Sequence, residues 1–200
     1  MSTKRSHRYT LAEYLELERE SEVKYEYRDG EIFAVSGGTL AHDRITGNMF
    51  DLLKDQLRTR DCTVFTNNMQ IKVPAAPPYR YADGSVVCGP VEVERFSGSD
   101  LLVNPILLCE VLSPTTEAFD RGDKFTYYKS IPSFREYLLV AQHRPHITHY
   151  MKTATGKWEY EEANDLTSEI YLESVECNLA LNRVYESVRF SSGEGGAPGL

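Results

Sequence analysis

The 200-residue sequence has no apolar run long enough to cross a membrane; residues 105–112 and 137–141 fall far short of the roughly 18 residues a span needs. Its basic, polar start, residues 1–8, is followed by no apolar signal-peptide core, so the reading is of a cytoplasmic chain with a flexible N-terminus. Cysteine is scarce: Cys62, Cys88, Cys109 and Cys177 are too dispersed for a Cys-x-x-Cys zinc or redox motif. Cys88 and Cys109 lie in apolar runs and read as small buried hydrophobes, which fits a reducing compartment. Cationic charge is outweighed, 22 Lys and Arg against 30 Asp and Glu, giving a net charge of −8. That balance argues against a chain that holds nucleic acid by broad phosphate neutralisation. It leaves room for a site in which carboxylates hold cations beside local basic side chains, because net charge does not say where charge lies.

What is present is the composition of one globular domain, with 41% hydrophobic and 26% charged residues and neither repeat nor linker across residues 8–190. Thr10-Leu-Ala-Glu13 is a capping-box pattern that predicts a helix to about Arg19. Alternating residues 23–27 and 31–35 around Arg28-Asp29-Gly30 predict a β-hairpin. Ser36-Gly37-Gly38 breaks it, and His42, Ile45, Met49, Leu52, Leu53 and Leu57 recur at helical spacing. Strands are predicted over residues 62–66, 69–73 and 81–87, with a proline-rich loop at 74–78. Residues 105–112 form an almost continuous apolar run, the pattern of a strand buried on both faces, with Glu110 its one charge. A helix over 117–130 follows, closed by Ile131-Pro132, then strands over 134–141, 147–152 and 157–161 and a short helix over 178–188. The Ser/Gly-rich residues 191–200 carry no apolar pattern and read as a disordered tail.

Asp83 and Glu110 stand out because each is an acid in an otherwise buried strand, and a buried carboxylate is costly unless it is paired or binds a metal. If the two strands are neighbours, the carboxylates can converge on a hard cation such as Mg2+ or Mn2+, with Lys124 reaching over the same edge from the next helix. Activated water, charge stabilisation at phosphorus and a stabilised leaving oxygen are what phosphodiester hydrolysis needs, and this residue set fits. The same residues admit a purely structural reading, in which Asp83 begins an Asp-Gly turn and Glu110 pairs with Lys124 or Arg121.

Three other features carry no chemistry of their own. His143, His146 and His149 flank Pro145 at a spacing that scatters them over both faces of a strand, and read as surface histidines. Ser36-Gly37-Gly38-Thr39 lacks the lysine and spacing of a P-loop and reads as a connection. Of Tyr127 and Tyr128, at least one belongs in the core.

Over residues 9–188 the order of features resembles the Uma-two family of restriction-endonuclease-like proteins, a branch of the PD-(D/E)XK nuclease superfamily. The matching stretches are Tyr25-Glu-Tyr-Arg-Asp-Gly-Glu-Ile32, His42 before a helix, Tyr81-Ala-Asp83, Glu110-Val-Leu-Ser-Pro114, Asp120-Arg-Gly-Asp-Lys124 and Phe134-Arg-Glu-Tyr-Leu-Leu-Val140. The resemblance implies an α/β fold, a mixed central sheet flanked by helices with an N-terminal β-hairpin, as one domain over residues 9–190. It implies Asp83 and Glu110 as metal ligands, Glu26 as a further acid, Lys124 as the catalytic lysine and His42 as an accessory group. Two positions depart from the superfamily pattern: Leu112 stands where the usual lysine follows the strand glutamate, and Ala82 replaces the proline before Asp83. The implied activity is metal-dependent DNA endonuclease, with a homodimer as the form that cuts both strands. A non-catalytic nucleic-acid or protein-binding module on the same fold, and a metal-dependent hydrolase of another phosphorylated substrate, stay open beside it.

Overall fold

The structure, a computed structural model, describes residues 7–34 and 38–190. Residues 1–6 of the expected flexible N-terminus, Val35, most of the break at residues 36–38 and the expected disordered tail at 191–200 lie outside the described residues. Helix α1 (Leu11–Glu20) starts at the capping box, with Thr10 Oγ1 accepting from the Glu13 N–H and the Glu13 carboxylate accepting from the Thr10 N–H. Strands β1 (Tyr25–Arg28) and β2 (Glu31–Ala34) pair antiparallel around Asp29 and Gly30, whose φ values of 47° and 90° are the left-handed pair that a tight two-residue hairpin needs. Helix α2 (Leu40–Leu57) is capped by Thr39 and buries Ile45, Met49, Leu53 and Leu57 along one face.

A run of short strands follows: β3 (Cys62–Thr66), β4 (Gln70–Ile71), β5 (Arg80–Tyr81), β6 (Gly84–Cys88), β7 (Val93–Phe96), β8 (Ser99–Leu102) and β9 (Leu107–Leu112). Helix α3 (Glu117–Phe119), a π-helical turn (Asp120–Lys124) and α4 (Phe125–Tyr128) form one continuous crossover to β10 (Glu136–Ala141). Then come β11 (Ile147–Lys152), β12 (Trp158–Ala163), β13 (Glu169–Leu172), β14 (Cys177–Ala180) and α5 (Leu181–Val184).

The central sheet is mixed, in the order β12-β11-β10-β9-β6-β3; β9 and β10 run parallel and every other pair is antiparallel. Parallel neighbours need a crossover, and the α3–α4 run supplies it. All six residues of β9 and of β10 are buried, because both faces of the sheet are covered. On one face Ile45 and Met49 of α2 pack against Val86, Cys109, Val111 and Leu138; on the other Leu108, Leu112 and Leu139 pack against Phe125, Tyr128 and Phe134. The expected α/β fold with its N-terminal hairpin is what the chain adopts.

Several expectations are corrected. The strand predicted over 81–87 is two strands in two sheets, β5 beside β4 and β6 beside β9, with a bend at Asp83 between them. The helix predicted over 178–188 begins as β14, because Cys177 and Leu179 turn inward with period two against β13; only residues 181–184 are helical. The β7–β8 hairpin and β13 are additional. His146 and His149 are buried and held by polar partners, so they are not surface histidines. Cys88 is no isolated hydrophobe: it is disulfide-bonded to Cys62, its cross-strand partner in the β3–β6 ladder. The cysteines therefore do not argue for a reducing compartment. Cys109 is free and buried as expected. Among the described residues no helix is long and apolar enough to cross a membrane.

Candidate active site

The site forms where β6 starts beside β9. The ladder pairs Gly84 with Cys109, so Asp83 stands next to Glu110 one step beyond its end. Asp83 Oδ2 accepts the Val111 N–H at 2.7 Å, a bond that the β6 backbone would otherwise supply, and this is how the chain can leave one sheet and enter the other without orphaning a buried donor. Gly84 allows the close approach, since a Cβ there would stand 2.7 Å from Cys109 Sγ. Glu110 alternates with Leu108 and Leu112 and therefore points to the α4 face, into a low-dielectric setting.

Lys124 meets it there. Its Nζ lies 2.8 Å from Glu110 Oε1 and 3.4 Å from Asp120 Oδ1, with all three side chains buried. The π-helical turn over Asp120–Lys124 presents both of those residues to β9, and the Tyr128 hydroxyl, one turn on, donates to Glu110 Oε1 at 3.0 Å. Burial works against the Lys124 charge, but the carboxylates of Glu110, Asp120 and Glu26 outweigh it and hold the ammonium well above its ordinary pKa. Burial pushes Glu110 well above the ordinary carboxylate range, with Lys124 opposing and Asp120 and Asp83 adding to the rise. Of the two pairings that a structural reading allowed, the one with Lys124 is realised; Arg121 instead pairs with Glu117 at 2.8 Å. Asp83 sits at a bend and begins no Asp-Gly turn.

Glu26 comes in from β1. Arg28 donates to its Oε2 at 2.7 Å, and the Arg28 guanidinium lies 3.5 Å from the centroid of the Phe119 ring, which ties the hairpin to the crossover. Burial raises the Glu26 carboxyl, but Lys124, Arg28 and Arg80 overcome it and hold its pKa below the ordinary value. His42 comes in from the first turn of α2, its Nε2 3.2 Å from Asp83 Oδ2. Its imidazole is pushed down by burial and more strongly up by Asp83, Asp43 and Asp120, so its pKa lies above the ordinary histidine value. Gly38 seats the ring: a Cβ at position 38 would fall 2.7 Å from His42 Nδ1.

The structure thus brings Asp83, Glu110, Lys124, Glu26 and His42 into one neighbourhood. Sequence reasoning missed three charged members. Arg80 is a buried cation facing Glu26, with its Nε lacking a hydrogen-bond partner; the signal was a lone base alternating into a buried strand. Asp120, four residues before Lys124, and Arg28, two after Glu26, carried the helix and strand periods that put them on the same face as those residues. Cys109 is buried, and burial and then the charges of Asp83 and Glu110 push its thiol well above the ordinary range.

Among the described residues no three or more His, Cys, Asp or Glu side chains cluster closely enough to hold a metal by themselves. Two carboxylates are nevertheless enough for Mg2+, which is commonly held by one or two of them together with waters and substrate phosphates. The contacts that hold Asp83 fall on Oδ2 and those that hold Glu110 fall on Oε1, which leaves the second oxygen of each to serve a cation. Those two oxygens are the donors that a hard cation would take.

The mixed α/β sheet carries a carboxylate pair and a lysine at the junction of β6 and β9. The family profile described as "Putative restriction endonuclease", Uma2, matches residues 11–183, and the chain belongs to that family. It is 33% identical over 181 residues to the uncharacterized protein slr1290 of Synechocystis, covering 89% of this chain and 92% of that one. A second Synechocystis protein, the uncharacterized sll1609, is 32% identical over 163 residues, covering 80% and 90%. Among solved structures, a "putative nuclease belonging to DUF820" from Anabaena variabilis superposes with a TM-score of 0.69 at 18% identity, covering 88% of this chain and 97% of that one, a likeness of fold.

Proposed function

We propose that the protein is a metal-dependent endonuclease that hydrolyses DNA phosphodiester bonds, acting as a homodimer in the cytoplasm. The observation that carries the reading is the junction of β6 and β9, where Asp83 and Glu110 stand side by side with Lys124 Nζ 2.8 Å from Glu110. Asp83 and Glu110 would hold Mg2+ or Mn2+, which supplies an acidified water and neutralises phosphate charge. Lys124 contributes a fixed ammonium to the negative charge that develops at phosphorus, and low surrounding polarity strengthens that interaction. Glu26, whose charged form Arg28, Lys124 and Arg80 favour, would support the metal or its water from the lysine end of the site. His42 fixes Asp83 from the α2 side.

A second reading, a non-catalytic module on the same fold, is favoured by one observation: Lys124 is already satisfied by Glu110 and Asp120, so the buried charges close on themselves.

Calorimetry with Mg2+ or Mn2+ on the wild type, Asp83→Ala and Glu110→Ala, followed by plasmid nicking in the same samples, separates these. Metal binding and nicking lost together in both variants is the expected result. A wild type that binds no metal would leave the non-catalytic module, and binding without nicking would point to a different phosphorylated substrate.

A further inference from the structure

We infer that Gln142, just beyond β10, is a positioning residue of the site, holding Thr39 so that His42 meets Asp83. The inference deepens the nuclease reading and rests on it for its kinetic consequence. A closed circuit of hydrogen bonds carries it. Gln142 Nε2 donates to the Leu112 carbonyl at 2.9 Å, which fixes the amide to the end of β9, two residues past Glu110. That bond orients Gln142 Oε1 as an acceptor, and the Thr39 hydroxyl donates to it at 2.5 Å. The same hydroxyl accepts the His42 N–H at 3.1 Å, as the N-cap of α2. His42 Nε2 reaches Asp83 Oδ2, which in turn accepts the Val111 N–H and returns the circuit to β9.

Each link uses its group in the one role left to it. The hydroxyl spends its single proton on Gln142 and its lone pair on His42, so the cap and the tether are not alternatives. Gln142 is buried, and a primary amide placed there without both partners would leave costly unsatisfied groups. The helix needs only the cap; the tether does something more, locking the first turn of α2 to the strand that carries Glu110. Outer groups of this kind set the orientation of the groups that touch a metal or substrate, where small displacements cost rate. Gly38 completes the seat, since a Cβ there would meet the imidazole.

The test combines rate with geometry. Plasmid nicking by Gln142→Leu should fall about 10- to 100-fold in kcat with KM little changed, the range seen for outer partners of metal sites. Thr39→Val should fall similarly, and Thr39→Ser, which restores the hydroxyl, should recover. On a His42→Ala background Gln142→Leu should add no further loss, because the residue it positions is gone. A further loss of equal size on that background, or wild-type nicking by Gln142→Leu, would overturn the proposal. The nuclear Overhauser contact between the His42 ring and Gly38 should weaken in folded Gln142→Leu; if that variant does not fold, Thr39→Val is read in its place. A contact of unchanged strength overturns the positioning role. Because this readout needs no turnover, a wild type that nicks no DNA would defeat the nuclease reading while the ring contact still decides the part played by Gln142.

Discussion

Lys124 Nζ and Glu110 Oε1 stand 2.8 Å apart, and both side chains are almost wholly removed from water. Such a pair is worth little against an apolar replacement of both members, but removing one member strands the other. Lys124→Met is therefore expected to lower stability by about 3–5 kcal/mol, the usual cost of breaking a buried pair. The double variant Lys124→Met with Glu110→Gln should regain part of that loss, since the stranded carboxylate is gone. Urea unfolding of the single and double variants measures both, and a single variant as stable as wild type would mean that the pair is solvated.

Gly38→Ala places a methyl where the His42 imidazole now lies. The ring must leave Asp83 or the first turn of α2 must shift. Nicking is expected to fall by about ten-fold, equivalent to ~1.4 kcal/mol of barrier, with little change in melting temperature. If the alanine variant nicks at the wild-type rate, the contact between His42 and Asp83 has no part in the reaction.

His149 is fully buried between two carboxylates, its Nε2 3.5 Å from Glu136 Oε1 and its Nδ1 3.1 Å from Glu161 Oε1. Burial alone lowers its pKa, but Glu136 and Glu161 outweigh it, and the net direction is upward from 6.5. A raised folded-state pKa means the folded protein holds the proton more tightly than the unfolded chain. The stabilisation is then complete below the unfolded value and is lost as pH rises through the folded one. His42 shifts in the same direction, so the contribution of His149 is isolated by difference. Wild-type urea midpoints should drop between slightly acidic and alkaline pH, and His149→Gln should show a shallower drop; parallel curves would exclude His149 as a source.

The Cys62–Cys88 bond joins neighbouring strands across a sequence separation of 26. Closing a loop of that size restricts the unfolded chain by about 3.5 kcal/mol on the entropic account. Reductant should lower the urea midpoint of wild type and leave Cys62→Ala/Cys88→Ala unaffected. Thiol titration in denaturant without reductant should find only Cys109 and Cys177; a count of all four cysteines would mean the pair is reduced in solution.

Much of the fold was legible because local chemistry and tertiary need agree. The Thr10–Glu13 capping box, the Asp29-Gly30 turn and the apolar stripe of α2 each appear where their residues predict them. Legibility failed where a short segment changed partner. Residues 81–87 read as one strand although Asp83-Gly84 is a local turn signal, because the exchange of sheets there is made possible by a side-chain bond to Val111, distant in sequence. Residues 178–188 misled for a related reason: Leu181, Val184 and Tyr185 do follow a helical spacing, yet the residues before them form a strand, with Leu179 paired to Ile170. The partners of His149 were hidden likewise, because its two carboxylates arrive from β10 and β12.

By itself the sequence determined most of the elements and singled out Asp83, Glu110 and Lys124, since an acid inside an apolar run stands out from its neighbours. Only the tertiary structure decided what those groups do to one another. It set Asp83 beside Glu110, gave Lys124 two carboxylates to neutralise, brought Arg80 and Arg28 to Glu26, and closed the circuit from Gln142 to His42. The reason is physical: a residue's burial period is written in its near neighbours, whereas its partners in a low-dielectric interior are brought by sheet order and helix crossover from segments many residues away.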